Sequence, residues 1–309
     1  MGIVVLGAVF IDIKGRATGG YIPAGRNVGV VEEVHGGVSR NVVEDIANVE
    51  LRPTFIGLVD ESGIGTGVLE KLQNHKVETK YMRRTPDGMG KWLAVFDNHG
   101  DVVASISKRP DLSEINNILD EQGDEIFKDA DSIALEIDME KDTIKRVFKY
   151  AQKYNLKVFA AVSNMSIAVE RRDFLKNVEC FVCNQQEAGI LFMDDYSEKT
   201  ADEMQEILLK KVQAAQIKKM IVTLGGSGAV YADIDGNSGF VPARKVDVKD
   251  TTGAGDSFFA GVTVGLTYGK TMQEACEIGS TLAASVIVTS DNVCPRFLPS
   301  EFGIEVPEN

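Results

Sequence analysis

Three histidines, four cysteines and one tryptophan are all that 309 residues hold of those types, and basic residues fall short of acidic ones, 33 against 46. Each shortage excludes something. A formal net charge of -13 argues against a nucleic acid or an anionic membrane surface as partner, since either calls for a basic patch. A small molecule fits better. No apolar run approaches the length of a bilayer span, and Met1-Gly2-Ile3-Val4-Val5-Leu6-Gly7 has no basic segment before its apolar run, so an unanchored, cytoplasmic protein is expected. Cys180 and Cys183 are the one close pair of cysteines. They belong to a strand-like run whose alternation turns the two thiols to opposite faces, and no second Cys or His pair completes a zinc set. Core cysteines are expected. None of the histidines has the local context of a nucleophile-activating triad.

What is present points to a large α/β enzyme, because 44% hydrophobic residues can fill a sizeable core and short apolar runs alternate with helical periodicity. The stretch Asp250-Thr251-Thr252-Gly253-Ala254-Gly255-Asp256-Ser257 carries the chemistry. After it, Phe258, Phe259, Val262 and Leu266 mark a helix with a buried face, stopped at Gly269. A helix N-terminus has unpartnered N–H groups and a positive dipole end, and Gly-Ala-Gly lets a phosphate approach them unobstructed. A carboxylate beside bound phosphate repels it as a ligand but can serve as a base, taking the proton of an attacking hydroxyl. An isolated Gly-x-Gly more often means only a capped helix start.

Upstream, Ile3 to Leu6 reads as a strand buried on both faces, followed by Asp12 where parallel sheets bind ligands. Gly36-Gly37-Val38-Ser39-Arg40-Asn41 leads into a helix, and Asn41 can offer a polyol both donor and acceptor. Residues 14 to 34 suggest short strands and turns rather than core. Gly90 to Ile106 reads as a hairpin turning at Asp97-Asn98-His99-Gly100. Strands at Thr54 to Val59, Ser132 to Ile137, Lys157 to Val162 and Met220 to Thr223 alternate with helices at 62 to 74 and 141 to 154. The strand Cys180 to Cys183 ends at Asn184-Gln185-Gln186-Glu187, where Asn184 and Glu187 lie one turn apart and offer oxygens to a hard cation. Gly225-Gly226-Ser227-Gly228 opens a strand and not a helix, which excludes a dinucleotide fingerprint and with it a nicotinamide oxidoreductase. A last long helix covers about 271 to 288.

The octet at Asp250 resembles the C-terminal signature of the ribokinase (PfkB) family of sugar and nucleoside kinases, and Gly36 to Asn41 resembles that family's Gly-Gly-x-x-x-Asn substrate motif. Asn184 to Glu187 is similar to its Asn-x-x-Glu motif. The resemblance implies one ribokinase-like α/β domain over 1–309, a three-layer, doubly wound, mostly parallel sheet with a small β lid formed by 12–34 and 90–107. It implies an ATP-dependent kinase with Asp256 as base and Gly253, Ala254 and Gly255 as anion hole. ATP is expected at Asn184, Thr223, Gly225, Gly226, Gly228, Thr251 and Thr281. The acceptor is expected at Asp12, Gly36, Gly37, Arg40 and Asn41. Glu187 is expected to hold Mg2+ through water, and the backbone of Asp250 and Thr252 to offer a site to K+, although the matching part after the last helix, Thr289 to Arg296, departs from the family pattern. Arg40 before Asn41 resembles the pseudouridine-kinase branch, so pseudouridine leads ribose, fructose and sugar phosphates as acceptor. Lys108 and Arg109 are lid charges, solvated or turned to an anionic acceptor group. The lid, in several family members a dimer contact, implies a homodimer. A non-catalytic sensor on the same fold is the reading from another class, disfavoured by the presence of Asp256.

Overall fold

Apolar runs of four or five residues without alternation form the middle of a large sheet, because only strands covered on both faces can carry them. The computed structural model describes residues 2–98 and 102–305. Its strands are β1 (Ile3–Leu6), β2 (Val9–Ala17), β3 (Gly29–Gly36), β4 (Thr54–Ile56), β5 (Leu58–Val59), β6 (Arg83–Arg84), β7 (Met89–Phe96), β8 (Val102–Lys108), β9 (Ser132–Glu136), β10 (Lys157–Ala161), β11 (Cys180–Asn184), β12 (Lys219–Thr223), β13 (Gly228–Asp233) and β14 (Ser238–Pro242). The helices are α1 (Val38–Asn48), α2 (Gly63–Asn74), α3 (Glu114–Phe127), α4 (Lys141–Tyr154), the short α5 (Met165–Ala168), α6 (Gln185–Phe192), α7 (Ala201–Ala215), α8 (Ala254–Thr267) and α9 (Met272–Ile287).

The main sheet runs β14-β13-β12-β11-β10-β9-β1-β4, parallel from β4 to β12 and closed by the antiparallel β13 and β14. Alternation along one strand feeds two cores. Val4 and Leu6 join the cluster under α3, α4, α6 and α7, while Ile3 and Val5 join the one under α1, α2, α8 and α9. Full burial of each such aliphatic side chain contributes about 1.5–3 kcal/mol. Three layers result. The strand order reverses between β1 and β9, and ligands of open parallel sheets bind beyond the carboxyl ends of the strands at such a reversal. There Gly7, Ala8 and Glu136 meet the start of α1.

A second, four-stranded sheet, β3-β2-β7-β8, stands on the same edge. Asp12 of β2 lies between Val34 of β3 and Trp92 of β7. Of the expected turn in the β7–β8 hairpin, His99 and Gly100 lie outside the described residues. Most of residues 14–34 are exposed, but Lys14 is an exception at 6%.

One expectation needs correction. Thr54 to Val59 is not one strand: it breaks at Gly57, β4 staying in the main sheet while β5 pairs with β6. A Cβ on Gly57 would stand 2.8 Å from the Phe55 ring and 3.1 Å from the Gly7 carbonyl. Helices α3 and α7 and the strand β14 went unread, although Thr200 and Glu203 form a reciprocal capping box at the start of α7. Gly123 masks α3 in the sequence, and Tyr150 packs where its side chain would be, 2.3 Å from a Cβ. The four cysteines are buried and unpaired, Cys180 and Cys183 on opposite faces of β11. No helix among the described residues is long and apolar enough to cross a membrane.

Candidate active site

Helix α8 starts at a left-handed turn. Gly253 caps it at φ 83°, and a Cβ there would lie 2.1 Å from the carbonyl oxygen of Asn292. Only glycine fits both the dihedral and the contact. Ser257 N–H donates to Gly253 O at 2.9 Å, so the amides of Gly255 and Asp256 precede the helix's regular ladder and point out of its end. Gly255 differs from Gly253: nothing lies within 4 Å of its missing side chain. Its face is open to a ligand.

Asp256, in the first turn of α8, accepts a hydrogen bond from Asn41 Nδ2 at 2.6 Å across 215 residues of chain. The other amide atom, Asn41 Oδ1, is buried without a partner. Burial pushes the Asp256 carboxyl up to about 6, against the pull of the Asn41 bond and the Arg40 charge, and Asp12 and Glu187 add to the rise. An acid in that range is charged at neutral pH yet able to take a proton. One turn below Asn41, Asp45 holds the frame together. It accepts from Ser257 Oγ at 2.7 Å and from Cys294 N–H at 2.6 Å, binding α1, α8 and the loop after α9.

The acceptor side is built by close approach. A Cβ on Gly36 would come 2.5 Å from Asp12 Oδ2, and one on Gly37, at φ 99°, would meet Ala8 O at 2.6 Å. Burial raises the Asp12 carboxyl, with Lys14 and Arg40 opposing. Arg40 is elsewhere than expected: at 1% exposure its guanidinium is committed to Glu44 and to the carbonyls of His35 and Gly36. It braces the turn and the pocket wall instead of reaching into the cleft, because an i,i+4 carboxylate is its nearest neighbour.

Glu136 was missed. It ends β9 at the reversal point, accepting from Ser39 N–H at 3.0 Å and Ala8 N–H at 3.2 Å. Burial and the nearby Asp138 push it up to about 7. A carboxylate closing an otherwise apolar strand was the available signal. Asp138 in turn takes Arg109 at 3.0 Å, and Lys108 pairs with Asp87, so neither cation is a free lid charge turned to an acceptor.

On the far side Asn184 and Thr223 are register partners at the ends of β11 and β12. Asn184 and Glu187 cap each other reciprocally, both bonds 2.8 Å. Glu187 is raised by burial, eased by its Asn184 bond and raised further by Asp138. Gly225 and Gly226 open onto free space, whereas Gly228, at φ 128°, is dictated by β14, since its Cβ would strike Val241 O at 2.1 Å. Thr251 is exposed in the loop before the cap. Thr281 spends its hydroxyl on Glu277 O at 2.8 Å within α9, and no hydrogen bond joins it to this group. Asp250 accepts from Thr252 N–H at 2.9 Å and faces Lys14 and Arg16, each 3.9 Å away.

Among the described residues no three His, Cys, Asp or Glu side chains gather to cage a metal. Mg2+ keeps its waters and is held by one or two carboxylates with substrate phosphates, so Glu187, capping Asn184 at the strand end next to Thr223, fits it.

The chain matches the pfkB family carbohydrate kinases over residues 2–296. It is 34% identical to the guanosine-inosine kinase of Exiguobacterium acetylicum over 292 residues, covering 94% of this chain and 95% of that protein. It is 24% identical to the pseudouridine kinase of Escherichia coli, covering 84% and 82%. Arabidopsis thaliana ribokinase, solved with ribose and ATP, superposes with a TM-score of 0.79 at 20% identity over 95% and 96% of the two chains. The sheet with its helices on both faces is therefore a ribokinase fold. With that fold and a match over residues 2–296, this chain belongs to the pfkB family, phosphotransferases that act on hydroxyl groups.

Proposed function

We propose that this protein transfers the γ-phosphoryl group of ATP to the primary hydroxyl of a ribonucleoside, with Asp256 as general base. The observation that carries the reading is the 2.6 Å bond between Asn41 and Asp256 at the open N-terminus of α8. In this reading Asp12, Asn41 and Glu136 take sugar hydroxyls, and the glycines 36 and 37 let the ring come close. Asn41 Oδ1, buried and unpartnered, accepts from one hydroxyl while Nδ2 orients the base. Arg40 acts on the pocket through its backbone and its charge.

Asp256 takes the proton of the acceptor hydroxyl, that oxygen bonds to the γ-phosphorus, and the bond to the β–γ bridging oxygen breaks with its electron pair leaving on ADP. The amides around Gly253, Ala254 and Gly255 meet the charge on the transferring group. Asn184, Thr223, Gly225, Gly226 and Thr251 border the nucleotide, with Gly228 shaping the turn and Thr281 on the adenine side. Mg2+, when bound, neutralises phosphate charge, and Glu187 would hold its hydration shell. The carbonyls of Asp250 and Thr252 are the place for a monovalent cation, with Lys14 as neighbour. Turnover in potassium against tetramethylammonium salts reads that contribution.

Guanosine or inosine heads the acceptors, supported by 34% identity along nearly the whole of the Exiguobacterium enzyme. Pseudouridine is the second reading, supported by the Arg40-Asn41 run and the Escherichia coli relative. ATP consumption is assayed with guanosine, inosine, pseudouridine, uridine, ribose, fructose and a sugar phosphate. Preference for a sugar or sugar phosphate over every nucleoside removes the nucleoside assignment.

The small sheet serves as a lid that keeps water from the phosphoryl group. Its outer face, with Val31 at 72%, Leu93 at 41% and Ile106 at 70% exposure, supports a homodimer through the lid. Sedimentation of Ile106→Lys against the parent tests it, a dimer in both refuting this contact. A cytoplasmic setting, where ATP is plentiful, goes with the reading and with four unpaired cysteines.

A further inference from the structure

Alternation along β2 puts Asp12, Lys14 and Arg16 on one face of the small sheet. Asp12 overlies Gly36 in the acceptor pocket. Lys14, two residues on, crosses to the main body: its ammonium lies 3.4 Å from Thr252 Oγ1, 238 residues away in the chain, and 3.9 Å from Asp250 Oδ2. Thr252 immediately precedes Gly253, the left-handed cap of α8. The ammonium is therefore at the rim of the phosphoryl-binding end of that helix.

Lys14 is 6% exposed, and a buried ammonium is costly unless its three donors are used. Its two partners lie at the long limit of a hydrogen bond and of an ion pair, too far to use those donors well. Two neighbouring cations are committed elsewhere, Arg40 to Glu44 and two carbonyls and Arg109 to Asp138. Arg16 shares Asp250 at 3.9 Å while lying over the Phe96 ring, 4.4 Å from its centroid. Against them the cleft gathers the carboxylates of Asp12, Glu136, Asp250 and Asp256. Transfer of a phosphoryl group between such acids needs positive charge aimed at the group in transit.

We propose that Lys14 is a catalytic residue of the kinase reaction, its ammonium leaving the Asp250–Thr252 rim to hydrogen-bond the γ-phosphoryl oxygens as they pass from ATP to the acceptor. The proposal rests on the phosphoryl-transfer reading above but not on which acceptor is used. Asp250 parks the ammonium at the rim between turnovers. A lid-borne cation also makes the step depend on closure, so that the charge arrives when acceptor and ATP are both enclosed.

Lys14→Met keeps the buried stem and removes the charge, and Lys14→Gln serves as a second variant should the first fail to fold by circular dichroism. Two rates are read: turnover with whichever acceptor the unsubstituted protein phosphorylates, and acceptor-free hydrolysis of ATP. Both fall about 10²-fold, the usual loss for one transition-state donor, while the Kd for ADP and the acceptor KM stay within about twofold of the parent. Unchanged kcat overturns the proposal, as does a loss confined to acceptor KM, which would make Lys14 only a tie between lid and body. Failure of the nucleoside assignment looks different: the unsubstituted protein would ignore nucleosides, and the variant would still be compared with it on a sugar and on ATP hydrolysis.

Discussion

Asp45 accepts a hydrogen bond from Ser257 at 2.7 Å, so the residue directly after Asp256 is tied to the helix that carries Asn41. Burial pushes the Asp45 carboxyl up to about 7, with the bonds from Cys294 and Ser257 opposing. A carboxyl raised in the folded state holds its proton where the unfolded chain has lost it. Stability from this group is full below the unfolded value near 4 and falls as pH rises through about 7. Thermal unfolding of the parent should therefore lose midpoint between about pH 4 and 7, and Asp45→Asn should lose less. Equal declines in the two proteins would show that Asp45 does not titrate in this window.

Asp256→Asn should cost on the order of 10²-fold or more in kcat and leave ATP affinity near that of the parent, because the amide keeps the shape of the loop but cannot take the proton. Steady-state rates and a nucleotide titration check both halves. Retained turnover in the variant rules out Asp256 as base.

The pH profile carries a further sign. With Asp256 at about 6, kcat/KM should fall below that pH as the base becomes protonated. The Asn41 bond lowers the Asp256 pKa, so Asn41→Ala should move the acid limb to higher pH as well as weaken acceptor binding. A limb that stays put would mean that another group controls it.

Gly253 and Gly255 should separate stability from activity. Gly253→Ala faces a left-handed backbone, about 1–2 kcal/mol for that alone, and the Asn292 carbonyl 2.1 Å from its methyl, so its melting temperature should drop. Gly255→Ala meets no protein atom within 4 Å. It should melt like the parent and lose turnover, since its methyl would enter the space left for phosphate. Melting curves beside rates decide, and a fully active Gly255→Ala would place the phosphate elsewhere.

Glu187→Gln should raise the Mg2+ concentration needed for half-maximal rate more than it changes acceptor KM, while the side-chain amide oxygen preserves the cap on Asn184. Superimposable Mg2+ titrations would remove Glu187 from the metal site.

The glycine-capped, open end of α8, the buried parallel strands and the glycine pair before α1 were all legible in the sequence, since each is a local rule: a dihedral only glycine takes, a run covered on both faces, a helix start. Arg40, read from its motif position, was not. Its guanidinium was captured by Glu44 one turn along, a choice made by burial and not by the motif. Glu136 was passed over as a strand end because nothing in the sequence says that β1 and β9 are neighbours.

Sequence by itself determined the chemistry available at each position: which turns can be left-handed, which strands can be buried, where a carboxylate follows a glycine-rich helix start. Only the tertiary structure decided which of those groups meet. Asn41 and Asp256, 215 residues apart, and Lys14 and Thr252, 238 apart, become neighbours because two helices pack on one face of the main sheet while a separate small sheet folds over its edge. The pKa of Asp256 belongs to that packing as well, because the burial that raises it exists only once α1 and α8 are in contact.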